Sequence, residues 1–167
     1  LVFTQAVDKN DPVLGFFEGW LGKFAEKFEE ISVVALRVGE YSLPANVKVF
    51  SISDSKNRRL RIYKIFRLFF LIWKTRRLGD AVLVHMNKEY VLAGWPIWKF
   101  LEIPVYLWYN HKKADFFARL AMKLSKKVFY TSSHSAGAKL PSPIQMPVGV
   151  DTELFMQCIP IGERGAS

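Results

Sequence analysis

The chain of 167 residues is half hydrophobic and 15% aromatic. That excludes a disordered segment, and the length suits one domain burying roughly 70% of its unfolded surface. Its net charge of +9 has one source, because Lys56–Arg77 holds nine Lys or Arg and no acid, leaving fifteen of each sign elsewhere. A local basic block points to one patch that meets something anionic rather than to a general nucleic-acid coat.

No run of about 18 uncharged apolar residues offers a membrane span. The single cysteine, Cys158, excludes an internal disulfide and a cysteine-rich metal site, so a reducing, cytoplasmic compartment is expected. The chain opens inside an apolar run with neither an initiator Met nor a leader pattern, and a few residues are expected before Leu1.

In chain order, Leu1–Ala6 reads as a strand. Asp11-Pro12 then pairs a capping side chain with proline at a first helical position, so a helix should start there. Its apolar residues Val13, Leu14, Phe16, Phe17, Trp20, Leu21, Phe24 and Phe28 recur at three- and four-residue spacing, which suits a helix lying on a sheet. Ile31–Val38 and Val47–Ile52 read as strands separated by a turn at Gly39–Pro44.

From about Arg58 to Arg77 the pattern is helical. Ile62, Ile65, Phe66, Phe69, Phe70 and Trp73 fall on one half, and Arg61, Lys64, Arg67 and Lys74 on the other. Asp80–Met86 is a fourth strand, and Asn87 can cap a helix running to about Leu101, kinked or divided at Pro96.

Ile103–Lys113 is an apolar run ending at a histidine between an amide and two lysines. It reads as a parallel strand covered on both faces that delivers His111 to the sheet rim. Ala114–Leu124 is a helix, Lys127–Thr131 a strand, Ser133–Leu140 a turn or short helix, and Pro143–Val148 a last strand. Strands alternating with helices imply right-handed crossovers and an α/β fold with a doubly wound, mostly parallel, Rossmann-like sheet.

In such a sheet ligands collect beyond the carboxyl ends of the strands, so the polar ends of the first, fourth and fifth strands should line one crevice. His111 is a candidate general base, a donor to a phosphate or sugar hydroxyl, or merely a rim histidine. His85, after four apolar residues, suits the core or a supporting position better, and His134 in Ser-Ser-His-Ser reads as loop surface.

Asp8 and Asp11 could be taken as a carboxylate pair, but Asp11 has the simpler role of cap. No histidines stand at metal-ligand spacing, so no metal is expected. Neither Gly-x-Gly-x-x-Gly nor a P-loop occurs, which disfavours a dinucleotide-dependent dehydrogenase, and no Gly-x-Ser-x-Gly surrounds Ser132 or Ser133, which suit capping instead.

The basic helix has three readings. It is an ordinary helix with its apolar half on the sheet, or a membrane-surface contact in which Phe69, Phe70 or Trp73 insert while Arg61, Lys64, Arg67 and Lys74 meet anionic lipid. Nucleic-acid binding is third, since the aromatic residues would be wanted by the sheet.

Asp80-Ala-Val-Leu-Val-His-Met-Asn, Val105–His111, Lys127–Ser133 and Pro147-Val-Gly-Val-Asp-Thr-Glu-Leu-Phe155 together resemble the N-terminal domain of family 4 glycosyltransferases with the GT-B fold. In that family a Gly-Val/Ile-Asp-x-x-x-Phe run closes the N-terminal domain, and Gly149, Asp151 and Phe155 fall on it. The resemblance implies an acceptor-side domain over 1–151 and a linker or truncated tail over 152–167.

It also implies a separate donor domain, absent here together with its Glu-x7-Glu pattern, that binds a nucleotide-sugar. This domain alone would then bind no cofactor and be inactive. A histidine after the fifth strand lies near the reacting sugar in such enzymes, which gives His111 the catalytic place. Gln5, Asp8, Gly15, His85, Asn87 and Lys112 are the candidate substrate-binding residues.

The expected function is therefore half of a retaining, metal-independent transferase acting on a glycan or lipid-linked acceptor, cytoplasmic and peripheral at the inner membrane face. The alternative is a non-catalytic Rossmann-like module that binds anionic membrane or nucleic acid through residues 56–77.

Overall fold

Strand β1, Val2–Val7, pairs in parallel with β2, Ile31–Val38, on one side and with β4, Val82–His85, on the other. The register sets Val2 against both Val33 and Leu83, so the first strand lies at the centre of the sheet. With β3 Val47–Ser51, β5 Val105–Trp108, β6 Lys127–Tyr130 and β7 Ile144–Gln145, the order is β3-β2-β1-β4-β5-β6-β7 and every pairing is parallel. Residues 1–53 and 61–147 are described in this computed structural model.

The order reverses between β1 and β4. Right-handed crossovers therefore place the helix after β1 on one face and those after β3, β4 and β5 on the other. The packing agrees. Helix α1, Phe16–Ala25, buries Phe17 and Leu21 against Val2, Val33 and Ala35. Helices α2 Arg61–Thr75, α3 Lys88–Phe100 and α4 Phe116–Leu124 cover the opposite face, where Phe3, Val34, Val84, Leu107 and Val128 lie.

Trp98 is the largest fully buried side chain, with its ring 5.2 Å from Phe3. It folds over Gly94, where a Cβ would stand 2.1 Å from the indole. Burying a side chain of this size contributes on the order of 3 kcal/mol, and with buried Tyr90 and Val91 it anchors α3 on the sheet.

Several elements differ from expectation. The first helix starts at Phe16 rather than at Asp11-Pro12, because Asp11 caps a separate turn. Its Oδ1 accepts from the backbone N–H groups of Val13 and Leu14 at 3.0 and 2.9 Å. Phe28 lies beyond the helix and is exposed, as is Val13 before it. Pro96 sits inside α3 without dividing it.

The fifth strand is not covered on both faces. Val105 and Leu107 are buried under the three helices, while Tyr106 and Trp108 point to the other face and are half-buried. Among the described residues only helix α1 lies there, reaching Trp108 through Trp20 at a centroid distance of 4.8 Å.

The correction at α2 is larger. The half that the ordinary-helix reading lays on the sheet is exposed, and the sheet is met instead by Leu68, Leu71, Ile72 and Thr75. The reason is geometric. A helix on a sheet buries a stripe roughly 100° wide, and this helix carries apolar residues over far more of its circumference than one contact can cover. Among the described residues no helix is long and apolar enough to cross a membrane.

Candidate functional site

The carboxyl ends of β4 and β5 build a cleft of about 400 Å³. Its wall on the β4 side is the start of α3, with Met86, Asn87, Lys88 and Glu89. The β5 side supplies Tyr109, His111, Lys112 and Lys113. At Met86 the backbone takes φ 69, a left-handed conformation that costs a non-glycine residue about 1 kcal/mol.

Two hydrogen bonds hold that turn, from Met86 N to Trp108 O at 2.8 Å and from Asn87 N to His85 O at 2.9 Å. Asn87 then caps α3 in an extended conformation without a side-chain capping bond. The first N–H groups of a thirteen-residue helix thus open on a cleft that also contains three lysines. Both features favour a ligand carrying negative charge or oxygen lone pairs.

His111 is exposed three residues beyond β5, and the segment that carries it is fixed at several points. Asn110 Oδ1 accepts from the N–H groups of Thr131 and Ser132 at 3.2 and 3.0 Å, stapling the loop to the end of β6. The His111 carbonyl accepts from Ala136 N at 2.8 Å. The ring packs edge-on against Tyr109 at 5.0 Å, and the Tyr109 hydroxyl donates to Lys113 O at 3.2 Å. An exposed imidazole on a loop so anchored can meet a ligand with little ordering cost.

Lys88 and Asp115 form an ion pair that ties the start of α3 to the start of α4. Asp115 also caps α4, accepting from Ala118 N at 2.7 Å. The Lys88 ammonium is the main influence holding the Asp115 carboxyl below the usual range, with the Ala118 N–H next, and Asp115 in turn holds the Lys88 pKa above the ordinary lysine value. Neither residue stands out in the sequence as a site residue, although Asp115 before the apolar Phe116-Phe117 has the pattern of a helix cap.

His85 occupies a different environment. It ends β4 as a buried side chain, with the Phe17 ring stacked on it at 4.3 Å and Phe16, Trp20 and Trp108 around it. Thr4 Oγ1 lies 3.3 Å from its Nδ1. Burial pushes its pKa down to about 4, so the ring is neutral at pH 7 and supports the sheet from below the cleft.

The loop after β1 is committed to its own scaffold. Asp8 Oδ1 accepts from Asn10 N at 3.0 Å, and the same carboxylate lies so close to Gly39 that a Cβ there would be 2.1 Å from Oδ2. At Gly15 an added Cβ would stand 2.8 and 2.9 Å from the carbonyl oxygens of Asp11 and Lys9. Asp11 receives Arg37 at 3.0 Å on its second oxygen, and its pKa is lowered chiefly by the Leu14 and Val13 N–H groups. Gln5 is the one exposed residue of β1.

Of the expected site residues, then, Asn87, His111 and Lys112 share the cleft. Gln5, Asp8, Gly15 and His85 do not line it. His134 is exposed, and its N–H donates to Ser132 Oγ at 3.2 Å, which gives Ser132 its capping role. Gly149, Asp151 and Phe155, with the domain boundary expected at 151, lie outside the described residues. No group of three His, Cys, Asp or Glu residues lies together among the described residues.

No protein-family model matches the chain, and no curated protein matches it. Solved structures do. MurG from Acinetobacter baumannii aligns over 87% of this chain and 43% of its own, with a TM-score of 0.51 and 16% identity. UDP-GlcNAc 2-epimerase from Methanocaldococcus jannaschii aligns over 80% of this chain and 40% of its own, with a TM-score of 0.48 and 15% identity.

The chain spans about two fifths of the length of these matched structures. At such identity the MurG likeness speaks for the fold alone. That fold is a doubly wound, all-parallel, Rossmann-like sheet, the architecture expected of the N-terminal half of a GT-B protein.

Proposed function

We propose that this chain is the acceptor-side half of a retaining glycosyltransferase that moves a sugar from a nucleotide-sugar to a glycan or lipid-linked acceptor. The supporting observation is the cleft beyond β4 and β5, where an anchored, exposed His111 stands among Asn87, Lys88, Lys112 and Lys113. In the reaction the bond between the sugar C1 and the diphosphate oxygen breaks. A bond from C1 to an acceptor oxygen forms, and the acceptor proton and the nucleoside diphosphate leave.

His111 donates a hydrogen bond to a hydroxyl of the transferring sugar, Asn87 and the first N–H groups of α3 hold acceptor oxygens, and the lysines offset charge as the diphosphate departs. The donor nucleotide is held mainly by the second domain. This domain needs no cofactor of its own in that scheme.

The test is His111→Ala in the full-length protein, read as release of nucleoside diphosphate from a panel of nucleotide-sugars. A loss of at least ~10-fold in kcat at an unchanged melting temperature is expected for a group that hydrogen-bonds the transition state. Near-normal turnover with the fold intact would remove His111 from the site.

A further inference from the structure

Helix α2 presents a surface that the cleft does not use. Ile62 is 64% exposed, Ile65 53%, Phe66 69%, Phe69 48%, Phe70 52% and Trp73 58%. At 100° per residue these six side chains fall within a single sector about 140° wide, turned away from the stripe of Leu68 and Leu71 and adjoining Ile72 at one edge, the three residues that meet the sheet. Isolated exposed apolar residues are common on protein surfaces, but six large ones on one helix face are not.

One margin of that sector is basic. Arg67 and Lys74 border its Phe70 side, Arg61 stands exposed in the first turn beyond Ile72, and Arg76 and Arg77 lie just past the helix end. The helix contains no acid. The guanidinium groups lie along the aromatic rings, Arg67 at 5.5 Å from the Phe70 centroid and Arg76 at 3.9 Å from Trp73. Arginines in this posture keep their charge at the level where an apolar body ends and a polar layer begins.

We infer that α2 docks this protein on an anionic lipid surface, lying flat with Phe66, Phe69 and Trp73 in the boundary between headgroups and acyl chains. Fifteen residues span roughly 22 Å, too short to cross a bilayer and long enough to lie on one as an amphipathic helix. Charge selects the occupant. A second copy of the same face would set arginines against arginines, whereas anionic headgroups complement the cations beside the sector and at the helix ends. The inference stands apart from the reaction proposed for the cleft.

The experiment is flotation of the full-length protein with vesicles of 70:30 phosphatidylcholine to phosphatidylglycerol and with phosphatidylcholine alone. Flotation with the first and little with the second is expected. Arg61→Glu/Lys74→Glu/Arg77→Glu, at positions with no ion pair to a described residue, should lower partitioning by at least ~100-fold, since each cation contributes about a factor of five. Phe66→Ser/Phe69→Ser/Trp73→Ser should also abolish flotation while keeping the parent's circular dichroism and melting temperature, because all three side chains are exposed.

Equal flotation with both vesicles, or binding unchanged in either triple variant, overturns the inference. So does an absence of flotation accompanied by a dimeric mass that the serine variant makes monomeric, which would assign the face to a second copy. Binding to an oligonucleotide without binding to vesicles overturns it as well.

Discussion

Acidification should weaken this fold through His85, and the amount follows from its surroundings. The ring is 3% exposed, stacked on Phe17, with a folded pKa of about 4. An unfolded histidine titrates near 6.5. Between those values the unfolded chain binds a proton that the native ring refuses, so stability falls as pH drops from 6.5 towards 4 and the loss levels off below the folded value. Linkage puts the loss at about 1.4 kcal/mol at pH 5.5 and roughly 2.5 kcal/mol at pH 4.5.

Carboxylates also titrate in this range, so the contribution is isolated by comparison with Thr4→Val/His85→Phe. That pair keeps an aromatic ring under Phe17 and avoids stranding the buried Thr4 hydroxyl, which lies against Nδ1 in the parent. Urea midpoints at pH 4.5, 5.5, 6.5 and 7.5 should give a parent curve that falls away from the variant's by the amounts stated. Parallel curves, or a ring titration near 6.5 followed by NMR, would refute the argument that burial in the aromatic cage sets this pKa.

Gly15→Ala should cost about 1–3 kcal/mol in chemical denaturation, because the new Cβ meets two backbone carbonyls that no rotamer change can move. Asn110→Ala leaves the N–H groups of Thr131 and Ser132 without their acceptor. It should lower stability by about 1–2 kcal/mol and speed hydrogen exchange at those two amides; unchanged exchange would show that the staple does not hold the His111 loop. Asp115→Ala removes the cap of α4 and should destabilise by about 1 kcal/mol in a thermal melt, whereas Asp115→Asn should retain most of the capping contribution.

The layering of the fold was legible because strands and helices alternate with clear punctuation. Ile31–Val38, a β-branched run between Glu30 and Gly39, is a strand with the predicted ends. Coverage was not legible. Periodicity shows that a helix has an apolar side, not what lies against it, so Phe66 and Trp73 could be read as sheet-facing or as exposed, and they are exposed. Tyr106 and Trp108 looked doubly covered and face a side where α1 is the only helix among the described residues.

At the site, His111, Asn87 and Lys112 were readable because each follows a strand end, and strand ends meet at one edge of a parallel sheet. The Lys88–Asp115 pair joins residues far apart in sequence, and the left-handed backbone at Met86 has no residue signature, since glycine would be the usual choice there. Asp8 and Gly15 follow a strand end too. The Asp8 carboxylate lies against Gly39 just past β2, and Gly15 packs on the carbonyls of Lys9 and Asp11 within its own loop.

The central position of β1 also sets a schedule. During synthesis β1, α1, β2 and β3 can associate as soon as they emerge, but the other edge of β1 waits for β4. At ribosomal rates of about 5–20 residues per second, the 34 residues from Ser51 at the end of β3 to His85 at the end of β4 leave that edge open for about 2–7 s. An unpaired strand with buried-type side chains such as Phe3 is a template for other nascent chains. Slowing translation across α2 should therefore increase aggregation of this protein.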